Sequence, residues 1–315
     1  MLSDDISDLI RQLKERGARR VALQFPEGLK RKAAAYGSAL RKAGFEVIVS
    51  GDPCYGACDL ALDTLAEADV LVHVGHAPVD NRPNVIFLPY RMDFDIDVLK
   101  QALPLIRGKT IGLVTTVQHV HLIPAMEEYL LSKGYEVRIA EGKGRTPLRG
   151  QVLGCCFTAA KETGADEILF VGTGVFHPIG IALATRARVI ALDPLTGTAQ
   201  DVSGETLLRR RFAVIEKARG AATVGILVST KSGQNRMDLA RRLAALADNA
   251  VIVTVREVSP DELLNLGFGC YVNTACPRLA YDDQVRFPVP VLSPQEFEIL
   301  CGVRDWNQYE IDEIP

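Results

Sequence analysis

The segment VALQFPEG, residues 21–28, decides the fold, because a short apolar run ends abruptly in a loop of Pro, Glu and Gly. Two later segments have the same form, and each follows a helix-length stretch: IGLVTTVQ at 111–118 and VGILVSTKSGQ at 224–234. The three segments begin about one hundred residues apart. This spacing predicts three sequential, similar α/β domains, at residues 1–100, 101–200 and 201–315.

Other short runs rich in β-branched residues alternate with helix-length segments, and they read VIVS at 47–50, DVLVHV at 69–74 and EILFVG at 167–172. Such alternation is typical of parallel sheets with crossover helices. The fold class is therefore predicted to be α/β, with mainly parallel sheets packed around a central site. Ligands of such sheets bind beyond the carboxyl ends of the strands, where polar loops emerge.

The composition indicates a globular protein, with 48% hydrophobic and 24% charged residues among 315. A formal charge of -3 argues against direct binding of nucleic acid through its phosphates. No apolar stretch reaches the roughly 20 residues that a membrane helix requires. The opening MLSDDISDLIRQLKERG lacks the pattern of a signal peptide. We therefore expect a cytoplasmic protein that does not bind a membrane.

Seven cysteines cannot all pair with one another, and reducing conditions disfavour structural disulfides. Cys270 and Cys301 lie in apolar runs and are expected to be buried structural residues. The others fall in three loops, one in each predicted domain: SGDPCYGACDLA at 50–61, RGQVLGCCFTAA at 149–160 and YVNTACPRLAYDD at 271–283. This distribution predicts that the three loops jointly hold one metal centre.

The type of metal centre follows from the spacing of the thiols. Structural zinc usually uses close pairs such as C-x2-C, and the sequence has none. Iron-sulfur clusters accept widely spaced thiolates, and a cluster held by three of them leaves one iron open for a substrate. An iron-sulfur centre is therefore predicted.

The three cysteine segments, in this order and spacing, closely resemble the diphthamide-synthesis family in its archaeal form. These proteins are atypical radical S-adenosylmethionine enzymes that modify a translation factor. The likeness covers nearly the whole chain and includes LQFPEGL at 23–29, ADVLVHVGHAPV at 68–79 and FVGTGVFHPIG at 170–180. The usual C-x3-C-x2-C motif of radical enzymes is broken here, because residue 61 is Ala.

The resemblance implies that Cys58, Cys155 and Cys276 bind a [4Fe-4S] cluster. It also implies transfer of the 3-amino-3-carboxypropyl group of S-adenosylmethionine to carbon 2 of a histidine in translation elongation factor 2. This reaction is the first step of diphthamide biosynthesis and releases methylthioadenosine. The implied partners are the elongation factor, an external electron donor and a second copy of the chain in a homodimer. The roles of Cys54 and Cys156 stay open.

Binding of S-adenosylmethionine needs polar groups on strand-end loops. The candidates are Gln24, Glu27, Thr116, Thr173, Gly174, His177, Thr230 and Gln234. Among the histidines, His73 lies within an apolar strand and is expected to be a satisfied core residue. His76 and His177 follow strands and are better candidates for a site.

Two other functions compete with the transferase. A quinolinate-synthase-like dehydratase would also use three α/β domains with one cysteine from each, and its open iron would act as a Lewis acid. A non-catalytic cluster or zinc scaffold would serve another enzyme, as does the partner subunit with a degenerate cysteine set in eukaryotic diphthamide synthesis. The presence of all three family cysteines favours the self-sufficient homodimer.

Overall fold

A computed structural model describes residues 2–314 of the protein, with side chains from Ile6 onward. Its strands form three separate sheets. The first contains β1 (Arg20–Gln24), β2 (Glu46–Val49), β3 (Val70–Gly75) and β4 (Val85–Pro89). The second contains β5 (Thr110–Thr115), β6 (Glu136–Arg138), β7 (Glu167–Val171), β8 (Arg188–Asp193) and β9 (Thr198–Val202). The third contains β10 (Val224–Ser229), β11 (Ala250–Val255), β12 (Cys270–Asn273) and β13 (Val291–Leu292).

The three sheets share one topology. Their strand orders are β2-β1-β3-β4, β6-β5-β7-β8-β9 and β11-β10-β12-β13. Apart from β9, which pairs antiparallel with β8, all these strand pairs are parallel. The three quoted apolar segments supply β1, β5 and β10, which occupy the same position in each sheet. The predicted α/β fold with three similar, mainly parallel sheets is confirmed.

Helices connect the strands. They are α1 (Leu2–Glu15), α2 (Ala33–Lys42), α3 (Leu62–Leu65), α4 (Ile123–Ser132), α5 (Thr158–Glu162), α6 (Phe176–Thr185), α7 (Glu205–Ala218), α8 (Met237–Ala244), α9 (Pro260–Leu266), α10 (Arg278–Tyr281) and α11 (Pro294–Leu300). The first helix, α1, buries Leu9 and Leu13 against the first sheet. Capping boxes start α9 and α11, because Ser259 and Ser293 each exchange hydrogen bonds with a glutamate three residues later.

The chain divides into two compact units, residues 1–91 and residues 92–315. The first unit contains the first sheet, whose core includes Val21, Leu23 and Val72. The second unit contains the other two sheets. The domain boundaries at residues 100 and 200 stay a prediction. Across residues 2–314, none of the helices combines the length and the apolar character needed to cross a membrane.

A buried ion pair joins α7 to α11 in the second unit. The guanidinium of Arg211 donates to both carboxylate oxygens of Glu296 and to the backbone oxygens of Ala280 and Val291. The side chains of Arg211 and Glu296 are 1% and 0% exposed. Burial of two charges is tolerated because Arg211 and the hydroxyl of Tyr309 satisfy the carboxylate. The pair therefore fixes the segment around α10, which follows Cys276.

We expect Arg211→Met to lower the free energy of unfolding by about 3–5 kcal/mol, because it leaves the Glu296 carboxylate buried without its cation. Urea unfolding of the full chain measures the change. Arg209→Met is the matched control on the same helix, since its side chain is 83% exposed; it should shift stability by less than about 0.5 kcal/mol. Equal stability of the two variants would contradict this role of the ion pair.

Candidate metal centre

Cys58 lies in the loop that follows β2, in the first unit. The loop is held by Gln24 at the end of β1, whose amide nitrogen donates to the oxygen of Asp59 over 2.6 Å. The amide oxygen of Gln24 accepts from the backbone nitrogen of Ala61 over 3.1 Å. Cys58 is half-buried, whereas Cys54 in the same loop is 2% exposed. The loop therefore presents the Cys58 thiol while it buries that of Cys54.

Cys155 lies at the tip of a tight turn in the segment between β6 and α5. Leu153 and Cys156 exchange backbone hydrogen bonds of 3.0 and 3.2 Å, which leaves Gly154 and Cys155 at the tip. Cys155 is half-buried. Cys156 points into the core at 2% exposure, with its sulfur 3.4 Å from the hydroxyl oxygen of Thr158. The turn thus separates two adjacent cysteines into one accessible thiol and one buried thiol.

Cys276 lies in the loop that follows β12. The side chain of Asn273, at the end of that strand, donates to the backbone oxygen of Cys276 over 2.8 Å and accepts from the backbone nitrogen of Ala275 over 3.0 Å. Arg236 also donates to the backbone oxygens of Thr274 and Ala275. Cys276 is half-buried, on a loop whose backbone is held by these bonds.

The second unit brings the Cys155 and Cys276 loops together. The guanidinium carbon of Arg278, two residues after Cys276, lies 4.8 Å from the centre of the Phe176 ring. A Cβ atom on Gly154 would lie 3.0 Å from the same ring and 3.5 Å from the Arg278 side chain. Glycine at position 154 therefore permits this close approach. Cys58 belongs to the other unit, and its convergence with Cys155 and Cys276 stays a prediction.

Cys270 and Cys301 are poor metal ligands. Cys270 is fully buried in β12, and burial raises the pKa of its thiol to about 11. Burial also raises the pKa of the Cys301 thiol. Both thiols hold their protons at neutral pH, whereas metals bind the thiolate. The expectation of a buried structural residue is confirmed for Cys270, while Cys301 is only half-buried beside the core of the third sheet.

The candidate residues for S-adenosylmethionine lie where the sequence places them, at or just beyond the carboxyl ends of parallel strands. Gln24 ends β1, Thr116 follows β5, and Thr230 follows β10. Gln24 is buried and bonded to the Cys58 loop, and Glu27 is paired with Lys30 at 2.6 Å. Thr173, Gly174 and Thr230 are exposed, Thr116 and His177 are half-buried, and Gln234 is buried. Their contacts with S-adenosylmethionine stay predictions.

His177 lies in the first turn of α6 and stacks on Phe170, with ring centres 5.7 Å apart and planes within 9°. Burial, helped by the positive charge of Arg278, lowers the pKa of His177 to about 4. The imidazole is therefore neutral at pH 7, with one nitrogen able to donate and the other to accept. It lies next to the residues that join the Cys155 and Cys276 loops.

The structure also groups three residues that the sequence analysis treated separately. Ligand atoms of Cys54, His73 and His76 all lie within 4.8 Å of one another in the first unit. His73 is fully buried within β3, which confirms its placement in the core. The only sequence signal for the group was the HVGH spacing beside a cysteine-rich loop.

These features define a class of protein, namely three-sheet α/β proteins that present thiols on strand-end loops. Within that class, residues 25–311 match the family described as putative diphthamide synthesis protein. The chain belongs to this family of enzymes, and the resemblance drawn from the cysteine segments is confirmed.

Relatives and solved structures agree with the family match. The chain is 39% identical to the 2-(3-amino-3-carboxypropyl)histidine synthase of Pyrococcus horikoshii, covering 98% of this chain and 92% of that protein. It is 32% identical to the corresponding synthase subunit 1 of Nematostella vectensis, covering 98% and 69%. The crystal structure of Dph2 from Pyrococcus horikoshii with a 4Fe-4S cluster superposes with a TM-score of 0.92 at 38% identity, covering 98% and 93% of the two chains.

The donor set of this chain fits such a cluster. Cys58, Cys155 and Cys276 are half-buried thiols on loops fixed by backbone hydrogen bonds, and cluster iron binds thiolates. Cys54, Cys156 and Cys270 are buried instead. The family match also favours the transferase over the quinolinate-synthase-like dehydratase.

We expect His177→Phe to flatten the pH dependence of unfolding of the cluster-free chain. The folded pKa of His177, about 4, lies below its ordinary value of 6.5, so the unfolded chain binds the extra proton between these values. Stability is therefore lost as pH falls from 6.5 towards 4, by about 1.4 kcal/mol per pH unit for one histidine. Phenylalanine keeps the stacked ring but cannot titrate.

Denaturant unfolding at several pH values measures this difference. Between pH 7 and 8 the variant and the unchanged chain should show the same slope, which serves as the internal control. Identical slopes below pH 6 would mean that His177 is not held neutral by the fold.

Proposed function

We propose that this chain transfers the 3-amino-3-carboxypropyl group of S-adenosylmethionine to carbon 2 of a histidine in translation elongation factor 2. In this reaction the bond from sulfur to the γ-carbon of the aminocarboxypropyl group breaks, with uptake of one electron, and methylthioadenosine leaves. A carbon-carbon bond forms at carbon 2 of the imidazole, and the C2–H hydrogen is lost as a proton and one electron, which balances the electron taken up in the cleavage. The proposal depends on one observation: each of the three sheets has a loop that carries a half-buried cysteine. The membership of the chain in this family supports the same conclusion. The names of the relatives support the same reaction.

We propose Cys58, Cys155 and Cys276 as the ligands of a [4Fe-4S] cluster. When bound, such a cluster supplies one electron for reductive cleavage of the sulfonium, from an external donor, and offers one iron without a protein ligand. The chain's own contribution is to fix the three loops. Gln24 holds the first, the Leu153–Cys156 turn forms the second, and Asn273 holds the third.

The loops beyond β5, β7 and β10 are proposed to position S-adenosylmethionine. Its aminocarboxylate is zwitterionic and needs both donors and acceptors, which the exposed Thr230 and the half-buried Thr116 provide. The loop with Thr173, Gly174 and His177 suits the adenine or ribose, because a neutral imidazole offers a donor and an acceptor without repelling a cation. Glu27, Gln24 and Gln234 complete the proposed polar set.

Each of Cys58→Ala, Cys155→Ala and Cys276→Ala should reduce the iron of the anaerobically reconstituted chain from about four atoms towards zero, because two thiolates hold a cubane poorly. Cys301→Ala is the matched control and should keep the full iron and sulfide content. Iron and sulfide analysis measures the result. Unchanged iron in any of the three variants would remove that cysteine from the ligand set in favour of Cys54 or Cys156.

The reduced, cluster-loaded chain should release methylthioadenosine when it is mixed with S-adenosylmethionine and elongation factor 2, and the factor should gain the mass of one aminocarboxypropyl group. The Cys276→Ala variant should fall to the rate of the reaction without protein. Sedimentation should find a homodimer. Activity that appears only after addition of a second, different subunit would assign this chain the non-catalytic role instead.

A further inference from the structure

The first unit contains a compact group of ligand side chains that the proposed transferase does not use. This group, the Cys54 cluster, consists of Cys54, His73 and His76. One sulfur and two ring nitrogens lie within 4.8 Å of one another. Cys54 and His73 are 2% and 0% exposed, and His76 is half-buried. One thiol and two imidazoles at this spacing are a ligand set that a divalent metal ion can share.

The backbone is shaped to bring the two histidines together. Residues three apart on a regular strand point to opposite faces of the sheet. Gly75 breaks that rule, because its φ of +103° turns the chain directly after β3. A Cβ atom on Gly75 would lie 2.9 Å from the Pro26 ring, so the position requires glycine. The turn lets the Nδ1 atom of His76 approach to 2.9 Å from the Nε2 atom of His73.

Hydrogen bonds determine which nitrogen of His73 is free of a proton. The backbone nitrogen of Ala61 can only donate, and the backbone oxygen of Asp59 can only accept, so the amide of Gln24 has one orientation. Its oxygen lies 2.8 Å from the Nδ1 atom of His73. That ring nitrogen must therefore donate, which leaves a lone pair on Nε2. Metal-binding histidines commonly have this arrangement, in which a side-chain or backbone oxygen orients the ring from behind.

The distances between the ligand atoms can be compared with those around a tetrahedral zinc ion. With bonds of about 2.0–2.1 Å, two nitrogens on one zinc lie about 3.3 Å apart, slightly further than the 2.9 Å between the His73 and His76 nitrogens. Zinc binding would turn both rings, because the two nitrogens face each other in the hydrogen bond and must face the ion to bind it. The Cys54 sulfur lies within 4.8 Å of both nitrogens, and zinc binding would bring it to about 3.5 Å from each.

The protonation states also suit a metal. Burial, together with the neighbouring His76, lowers the pKa of His73 to about 3, and burial lowers that of His76 to about 4. Both rings are therefore neutral at pH 7, as a metal ligand must be. Without an ion, His76 donates from Nδ1 to the lone pair of His73.

We propose that Cys54, His73 and His76 bind one zinc ion, with water in the fourth position. Two nitrogens and one thiolate are typical zinc ligands. On binding, the Cys54 thiol releases its proton to solvent, and the His76 proton moves from Nδ1 to Nε2, so that Nδ1 can bind. The ion ties the loop that carries Cys58 to the end of β3, and its role is to stiffen that loop. The inference does not depend on the transferase reaction.

The test is the zinc content and the zinc-edge X-ray absorption spectrum of the cluster-loaded full chain, after exposure to zinc and dialysis. We expect one zinc per chain in addition to the iron, with one sulfur neighbour at about 2.3 Å and nitrogen neighbours at about 2.0–2.1 Å. Cys54→Ala and His76→Gln should lose the zinc and keep the iron. Cys301→Ala and His121→Gln are the matched controls, and they should keep both metals.

Three results would overturn the proposal. They are zinc that dialysis removes from the unchanged chain, a spectrum with three sulfur neighbours, and zinc retained by both Cys54→Ala and His76→Gln. Three sulfur neighbours would place the ion on the proposed cluster cysteines instead. If the variants do not fold, the number of sulfur and nitrogen neighbours in the spectrum of the unchanged chain is sufficient to test the proposed zinc site.

Discussion

Parallel pairing of the strands is the constraint on which the rest of the structure depends. In each sheet the strand that comes first in the sequence lies between the second and the third strand. Because these three strands are parallel, their carboxyl ends lie at the same edge of the sheet. Loops that leave this edge are free of the ladder hydrogen bonds and can carry polar and thiol side chains. Cys58 and Cys155 follow the second strand of their sheets, and Cys276 follows the third strand of its sheet. One topology thus provides a cysteine loop in each of the three sheets.

The loops are fixed by side chains that end the strands. Gln24 and Asn273 are buried amides, and each uses its donor and its acceptor on the backbone of a cysteine loop. Such bonds hold the loop in place while the cysteine sulfur stays half-buried. Cys270, by contrast, is fully buried in the core, and burial raises the pKa of its thiol. Loops that are fixed before a cofactor binds lose less entropy on binding, which supports the proposed role of these cysteines.

The sequence predicts the central strands well, because the middle residues of β1, β5 and β10 are apolar and are buried on both faces of the sheet. It also identifies the cysteine loops and the core position of His73. It does not reveal that Cys155 and Cys156 face different ways, because that depends on a two-residue turn closed by Leu153 and Cys156. The Cys54 cluster is equally hidden, since it requires the left-handed Gly75 and a loop that crosses β1.

We propose that three thiolates from separate loops hold one cluster. The most direct test is an anaerobic crystal structure of the cluster-loaded chain, with the iron anomalous signal recorded. We expect iron atoms bonded to the sulfur atoms of Cys58, Cys155 and Cys276, and one iron with no protein ligand. Any of these sulfur atoms out of bonding reach, or Cys54 or Cys156 bound in its place, would contradict it.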